Sequence, residues 1–160
     1  MRGYVRCFRG LLQPSSSNKE GLNFDTKVDA KDGGYVDVEL SARQKFDKNG
    51  FVVDSKFAQS DLIGRYSPDG NFHIDWYGTT VSGRGVGTDM ISKAIESVGV
   101  ENVKTVSAQL GNVNRDVYNS AASSGLSSIQ AVWATPLGKS MSYLGFRGVE
   151  VNGYNVKFYR

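Results

Sequence analysis

The sequence predicts an α+β fold: a mainly antiparallel mixed sheet, flanked by helices and closed by a C-terminal β-hairpin. Three observations carry this. Residues 35–80 hold short segments of strand periodicity separated by turn residues. A glycine-rich stretch then marks a change from a period of two to the period of a helix. Beyond it come a strand, helical segments and two strands joined by Asn152-Gly153, a favoured hairpin turn.

Taken in order, Tyr4 to Leu12 reads as a first strand, with Val5, Cys7 and Leu11 facing in. Pro14-Ser15-Ser16-Ser17-Asn18 is a turn or loop cluster. Lys19 to Asp32 has no strong period and reads as irregular, with room for one short helix, so residues 1–34 are expected to be loosely structured. Tyr35 to Arg43 is the cleanest strand. Val36, Val38, Leu40 and Ala42 take one face, and Asp37, Glu39, Ser41 and Arg43 the other. Asp47-Lys48-Asn49-Gly50 is a turn, and Phe51 to Phe57 returns as a strand. Asp61 to Tyr66 and Asn71 to Thr80 extend this into a meander through Ser67-Pro68-Asp69-Gly70. In the last of these strands His73, Asp75 and Tyr77 are expected on one face, and Phe72, Ile74 and Trp76 on the other.

Met90, Ile91, Ala94, Ile95 and Val98 recur at helical spacing, which predicts a helix over Asp89 to Val98. Val103 to Leu110 is the next strand. Asn114 to Ser123 is a helix ended by Gly125, and Ser127 to Trp133 reads either way. Thr135 as N-cap and Pro136 at the first helical position start a helix that runs to Leu144 and stops at Gly145. Phe146 to Val151 and Tyr154 to Tyr159 form the closing hairpin.

At 160 residues the chain is expected to be one domain, 1–160, with enough length for a real core. A composition of 39% hydrophobic and 22% charged residues is that of an ordinary globule, and the net charge of +3 permits an RNA or acidic partner without specifying one. No apolar run approaches the ~20 residues that span a bilayer, so no membrane association is expected. Cys7 is the only cysteine and His73 the only histidine, which excludes an internal disulfide, a cysteine metal cluster and a multi-histidine metal site. Met1-Arg2-Gly3-Tyr4 lacks the apolar core of a signal peptide, so a cytoplasmic site of action is expected, including for a domain delivered into a target cell.

The stretch Ser82-Gly83-Arg84-Gly85-Val86-Gly87-Thr88 lies between a strand and a helix. Such a turn exposes successive backbone N–H groups, and the helix dipole adds roughly half a positive charge. Together they make a phosphate cradle. No Gly-Lys-Ser/Thr follows the glycines, so this is not a P-loop. A doubly wound dinucleotide fold would alternate strand and helix from the start.

On these residues the chain resembles the GNAT (GCN5-related N-acetyltransferase) superfamily over about residues 35–160. That family's pyrophosphate loop reads Gln/Arg-x-x-Gly-x-Gly/Ala, matched here by Ser82 to Gly87. Asn112 or Asn114 follows the next strand, where the family often has an asparagine near the cofactor. Gly145-Phe146 opens the last hairpin like the family's Gly-Phe. Three departures stand out. Ser82 replaces the long polar residue, with Arg84 nearby. Met141 occupies the place of the tyrosine that serves many members as general acid, with Tyr143 its near neighbour. The helical pair that the family places between its first two strands has only a weak counterpart.

The resemblance implies acetyl-CoA as acyl donor. It puts the pyrophosphate on the N–H groups of Arg84, Gly85, Val86, Gly87 and Thr88, within the loop from Ser82 and Gly83, and sets Asn114 beside the cofactor. The pantetheine arm would pair with backbone from Tyr77 to Val81. An amine would attack the thioester directly. His73 is then the first candidate for general base, Asp75 the second, and Tyr143 the candidate acid. Each has a plain alternative: a solvated strand face for His73 and Asp75, a packing tyrosine for Tyr143, a helix cap for Asn114. Arg147, Lys157 and Arg160 read first as scattered surface charge, with contact to a nucleotide phosphate or RNA as the alternative. Nothing pairs Ser120, Ser123 or Cys7 with the single histidine as a nucleophile site.

Three functions follow. The first is an N-acyltransferase acting on an amine of a small molecule, a protein or an aminoacyl-tRNA. The second is a secreted toxin or effector domain on the same scaffold, with an immunity protein as partner, because the segment from Ala134 to Phe146 is similar to tails of polymorphic toxins. The third is a non-catalytic module that binds CoA or a partner.

Overall fold

The computed structural model describes residues 21–56, 60–79 and 85–160. The strand expected over Tyr4 to Leu12, with Cys7, and the loop at Pro14 to Asn18 lie outside the described residues. The first strands are β1 (Asp25–Ala30), β2 (Val36–Ala42), β3 (Gln44–Phe46), β4 (Val52–Asp54), β5 (Ser60–Tyr66) and β6 (Asn71–Thr79). Helix α1 (Val86–Val98) leads to β7 (Thr105–Gln109). Helices α2 (Asn112–Ser123), α3 (Ser128–Ala134) and α4 (Pro136–Tyr143) precede the hairpin β8 (Gly148–Asn152) and β9 (Asn155–Tyr159). Among the described residues the main sheet has seven strands in the order β1-β2-β5-β6-β7-β9-β8. Every neighbouring pair is antiparallel except β6 with β7. The expected α+β class, mixed sheet and closing hairpin are therefore present.

Two expectations need correction. Lys19 to Asp32 is not irregular throughout, because Asp25–Ala30 pairs with β2 along its length. All of β1 is exposed. An edge strand held by pairing rather than burial needs no apolar alternation, so its sequence shows none. It joins β2 through a 3-10 turn at Asp32–Gly34, with no helical pair between them. The strand expected over Phe51 to Phe57 does not enter the main sheet either. Val52–Asp54 pairs with Gln44–Phe46 in a separate two-stranded ribbon.

Register defines two faces. Val38, Gly64, Ile74, Ala108, Val156 and Val151 stand opposite one another across the strands, beside a second row of Tyr66, Phe72, Val106, Phe158 and Val149. Cross-strand partners share a face, and these rows form the core with Met90, Ile91 and Ala94 of α1 and Leu137 and Met141 of α4. The opposite face carries Asp37, Arg65, His73, Ser107, Lys157 and Glu150 in register.

A bulge breaks this alternation in β6. Ile63 stands opposite Trp76 but Gly64 opposite Ile74, so Asp75 is the extra residue. Gly64 permits it: a Cβ there would lie 2.6 Å from the Phe72 ring and 2.8 Å from the His73 carbonyl. The bulge overturns the expected division of faces. Trp76 joins Ile63 on the outer face, where both are exposed, while Tyr77 turns inward opposite the buried Leu62. His73 and Tyr77 therefore do not share a face.

Candidate functional site

Strands β6 and β7 pair only from Asn71 with Thr105 to Ile74 with Ala108. Beyond Ile74, among the described residues, β6 pairs on with β5 and no longer with β7. The parted strands border a cavity of about 490 Å³. Its walls are Asp75 to Thr79 of β6, Ala108 and Gln109 of β7, Gly85 to Thr88 at the start of α1, Gly111 to Asn114 at the start of α2, and Pro136 and Ser140 of α4.

The helix ends differ in a telling way. Ser127 caps α3 in a capping box with Gln130. Thr135 accepts from the Gly138 N–H at 2.9 Å, Asn114 Oδ1 accepts from the Leu137 N–H at 2.8 Å, and Pro136 has no N–H to satisfy, so the start of α4 is closed. Helices α1 and α2 instead begin after Gly85 and Gly111, with no side-chain cap. Their first intrahelical bonds run from Asp89 N–H to Gly85 and from Arg115 N–H to Gly111. The N–H groups of Val86, Gly87 and Thr88, and of Asn112, Val113 and Asn114, precede those bonds and have no intrahelical acceptor. Both uncapped ends line the same cavity, and each contributes roughly half a positive charge. Gly85 sits at φ 73°, in the left-handed region, with open space where a Cβ would be.

Asn114 ties two walls together. With Oδ1 on Leu137, its Nδ2 donates to the Tyr77 hydroxyl at 3.0 Å. It thus caps the first turn of α4 rather than its own helix. Burial pushes the Tyr77 phenol above its ordinary value, with the Asn114 bond acting in the opposite direction. Thr88 Oγ1 and Ser140 Oγ lie 2.6 Å apart and join α1 to α4.

A polar chain reaches the cavity from the outer face. Thr105 Oγ1 donates to Asn71 Oδ1 at 2.8 Å, and Asn71 Nδ2 donates to Ser107 Oγ at 3.0 Å. Ser107 Oγ is 2.8 Å from His73 Nδ1, and His73 Nε2 is 3.6 Å from Asp75 Oδ1. In the arrangement that uses every donor, the Ser107 proton goes to Nδ1 and His73 carries its own proton on Nε2, toward Asp75.

Of the residues singled out in the sequence, Asp75, Tyr77, Gly85, Val86, Gly87, Thr88 and Asn114 stand in the cavity wall. His73 stands behind Asp75, outside the wall. Tyr143 is 83% exposed and away from it, and Met141 is fully buried in the core. Val81, Ser82, Gly83 and Arg84 lie outside the described residues. Trp76, Gln109 and Ser140 also line the cavity without having been singled out as site residues. Only Ser140 left a signal, as the neighbour of Met141.

No helix among the described residues is long and apolar enough to cross a membrane. No protein-family model and no curated protein matches the sequence. Among solved structures, the chain is similar to a protein from Desulfovibrio desulfuricans assigned to the GNAT acetyltransferase family, with TM-score 0.39 and 13% identity over 78% of this chain. It spans 66% of that protein's length. It is similar also to Tetrahymena GCN5, with TM-score 0.38 and 13% identity over 78% of this chain and 69% of that one. A third is a nourseothricin acetyltransferase, with TM-score 0.37 and 12% identity over 86% of this chain and 82% of that one.

Proposed function

We propose that the chain is an acyl-CoA-dependent N-acyltransferase of GNAT type, which passes an acetyl group from acetyl-CoA directly to an amine in the cytoplasm. One observation carries the proposal: two uncapped helix N-termini and the Asp75–Gly78 stretch of β6, beyond its pairing with β7, meet in one cavity. An acyl-CoA carries the matching groups, a pyrophosphate for the helix ends and an amide-bearing arm for a strand edge. A Cβ at Gly87 would make ordinary contact with the Tyr77 ring at 3.6 Å, so a side chain much larger than that would enter the cradle.

When bound, acetyl-CoA supplies the activated carbonyl. The first turns of α1 and α2 hold the anionic end, and the Asp75–Gly78 stretch of β6 fixes the arm's direction. Asp75 is the base at the wall and passes the amine's proton on to solvent, with the His73 Nε2–H beside its carboxylate. Among the described residues the wall carries no cysteine or histidine, and its Ser140 is bonded to Thr88, which favours direct transfer over a covalent acyl-enzyme. The acceptor is an amine on a small molecule, a protein or an aminoacyl-tRNA.

Calorimetry with acetyl-CoA tests the reading. Gly87→Trp is the variant of choice, because Gly85 has a positive φ and any substitution there adds backbone strain. Wild type should bind, and Gly87→Trp should weaken binding about 100-fold or more, roughly 2.8 kcal/mol. Absence of binding to wild type at millimolar acetyl-CoA overturns the proposal.

A further inference from the structure

Trp76 stands in the cavity wall with its indole 49% exposed, yet the ring is held at two points. Its Nε1–H donates to Asp61 Oδ1 at 2.8 Å, and the ring lies along Gly78, where a Cβ would come within 3.2 Å of Trp76 Cζ2. Gly78 stands opposite Asp61, so the indole is pinned over that pair on the outer face of the sheet. Ile63, 43% exposed, stands opposite Trp76 and widens the apolar surface. A large ring fixed at the mouth of a cavity, next in the chain to the Asp75 base, is a platform for the stem of an incoming side chain.

The charge around it is one-sided. Strands β1, β2, β5 and β6 carry six carboxylates, Asp25, Asp29, Asp37, Glu39, Asp61 and Asp75, against Lys27 and Arg65. The first five share the outer face by register, and Asp75 stands beside the outer-face His73. The chain as a whole has a net charge of +3, so the imbalance belongs to this face. Asp37 is matched by Arg65 and Asp29 by Lys31, while Glu39, Asp61 and Asp75 have no lysine or arginine partner among the described residues. Four strands span roughly 14 Å at the spacing of a sheet, a width suited to a polypeptide rather than to a single small amine.

We propose that this face docks a basic polypeptide segment, and that the acceptor is one of its lysine side chains, laid along the Trp76 indole with its nitrogen at Asp75. This rests on the acyltransferase reading and names its acceptor. A lysine suits the platform at both ends: its methylene stem covers the ring, and its ammonium is drawn to the ring face and to the carboxylate. Neighbouring lysines or arginines of the segment would meet Asp61 and Glu39. The same field repels the polyanionic body of an aminoacyl-tRNA.

Pentalysine with blocked ends is the probe, titrated at low salt without cofactor and read by calorimetry and fluorescence. Wild type should bind it with a Kd below about 1 mM. The emission should change with binding through Trp76, since Trp133, the only other tryptophan, packs edge-on against the buried Phe158. Trp76→Ala should weaken binding about tenfold and Asp61→Asn about threefold, with circular dichroism confirming their folds. Glu150→Gln, on the same face but in β8, should change it less than about twofold. With acetyl-CoA present, wild type should add acetyl groups to pentalysine, read by mass spectrometry. The inference is overturned by a wild type that does not bind the peptide, by wild-type affinity in Asp61→Asn, or by a loss in Glu150→Gln equal to that in Trp76→Ala. Tighter binding of spermine or of tRNA than of pentalysine also overturns it, as does a protein that binds acetyl-CoA and pentalysine without acetylating the peptide. Failure of coenzyme A to bind wild type overturns the acyltransferase reading instead, on which the cofactor-free titration does not depend.

Discussion

Gly64→Ala tests the bulge on which the site is built. The added Cβ would stand 2.6 and 2.7 Å from two carbons of the Phe72 ring and 2.8 Å from the His73 carbonyl. Ordinary contact would need about 1 Å more. The ring is fully buried, so it has no open space to take, and the carbonyl belongs to the strand backbone. Overpacking of this kind costs ~1–3 kcal/mol. At ~2–4 °C per kcal/mol for a chain of this length, the melting temperature should fall by roughly 2–12 °C in a calorimetric or circular dichroism melt. The clash is local, so removing its partner should relieve it. Phe72→Leu lacks the two ring carbons nearest the new Cβ, and the pair should therefore couple by ~0.5 kcal/mol or more in a double-mutant cycle. An unchanged or raised melting temperature for Gly64→Ala, or strict additivity with Phe72→Leu, would refute the claim that this glycine holds the bulge open.

Asn114→Ala should cost ~1–2 kcal/mol in denaturant unfolding, because it uncaps Leu137 and deprives the Tyr77 oxygen of its donor at once. A loss no larger than that of an exposed α2 residue would argue that the network is incidental. Asp37 gives the pH dependence. The Arg65 guanidinium, 2.6 Å away, holds its carboxyl below the ordinary 3.8. A carboxyl with a lowered folded value stabilises above its unfolded value and loses that contribution as the pH falls through the folded one. The melting-temperature deficit of Asp37→Asn should therefore be present at pH 7 and shrink as the pH falls below the ordinary 3.8. A deficit that persists in acid would show that packing, rather than charge, accounts for the pair.

The legible parts of this fold are those where one local interaction decides the outcome. Strand β2 alternates because one face is buried, and its inward set of Val36, Val38, Leu40 and Ala42 follows from that. Thr135-Pro136 begins a helix because both residues act within a single turn. The Asn152-Gly153 turn joins β8 to β9 for the same reason. Helix α3 read either way in the sequence, because its apolar pattern suits a strand equally well; the capping box of Ser127 and Gln130 decides it in the fold. Strand β1 had no such signal, being exposed throughout. The bulge depends on Gly64 and Phe72 meeting across two strands, and no periodicity within β6 can report a partner in β5. A lone glycine inside a strand pattern was the available hint. Half of the site followed from the glycine loop. The other half, the start of α2 and the Asn114 bridge, required knowing that β6 and β7 part after Ile74.

The same bulge bears on how the proposed chemistry is distributed. Where the resemblance would put a tyrosine on the last helix, Met141 packs into the core, so α4 contributes to the cavity only Pro136 and Ser140. Without the extra residue, Asp75 and Tyr77 would lie on one face of the strand, and the phenol would stand on the outer side with His73. With it, Asp75 remains near the outer-face histidine while Tyr77 turns inward to Asn114 and the start of α1. Two groups two positions apart thus reach a single cavity from opposite faces of the sheet. One inserted residue sets both positions, so a change that removes the bulge should disturb the proposed Asp75 base and the Tyr77–Asn114 wall together rather than either alone.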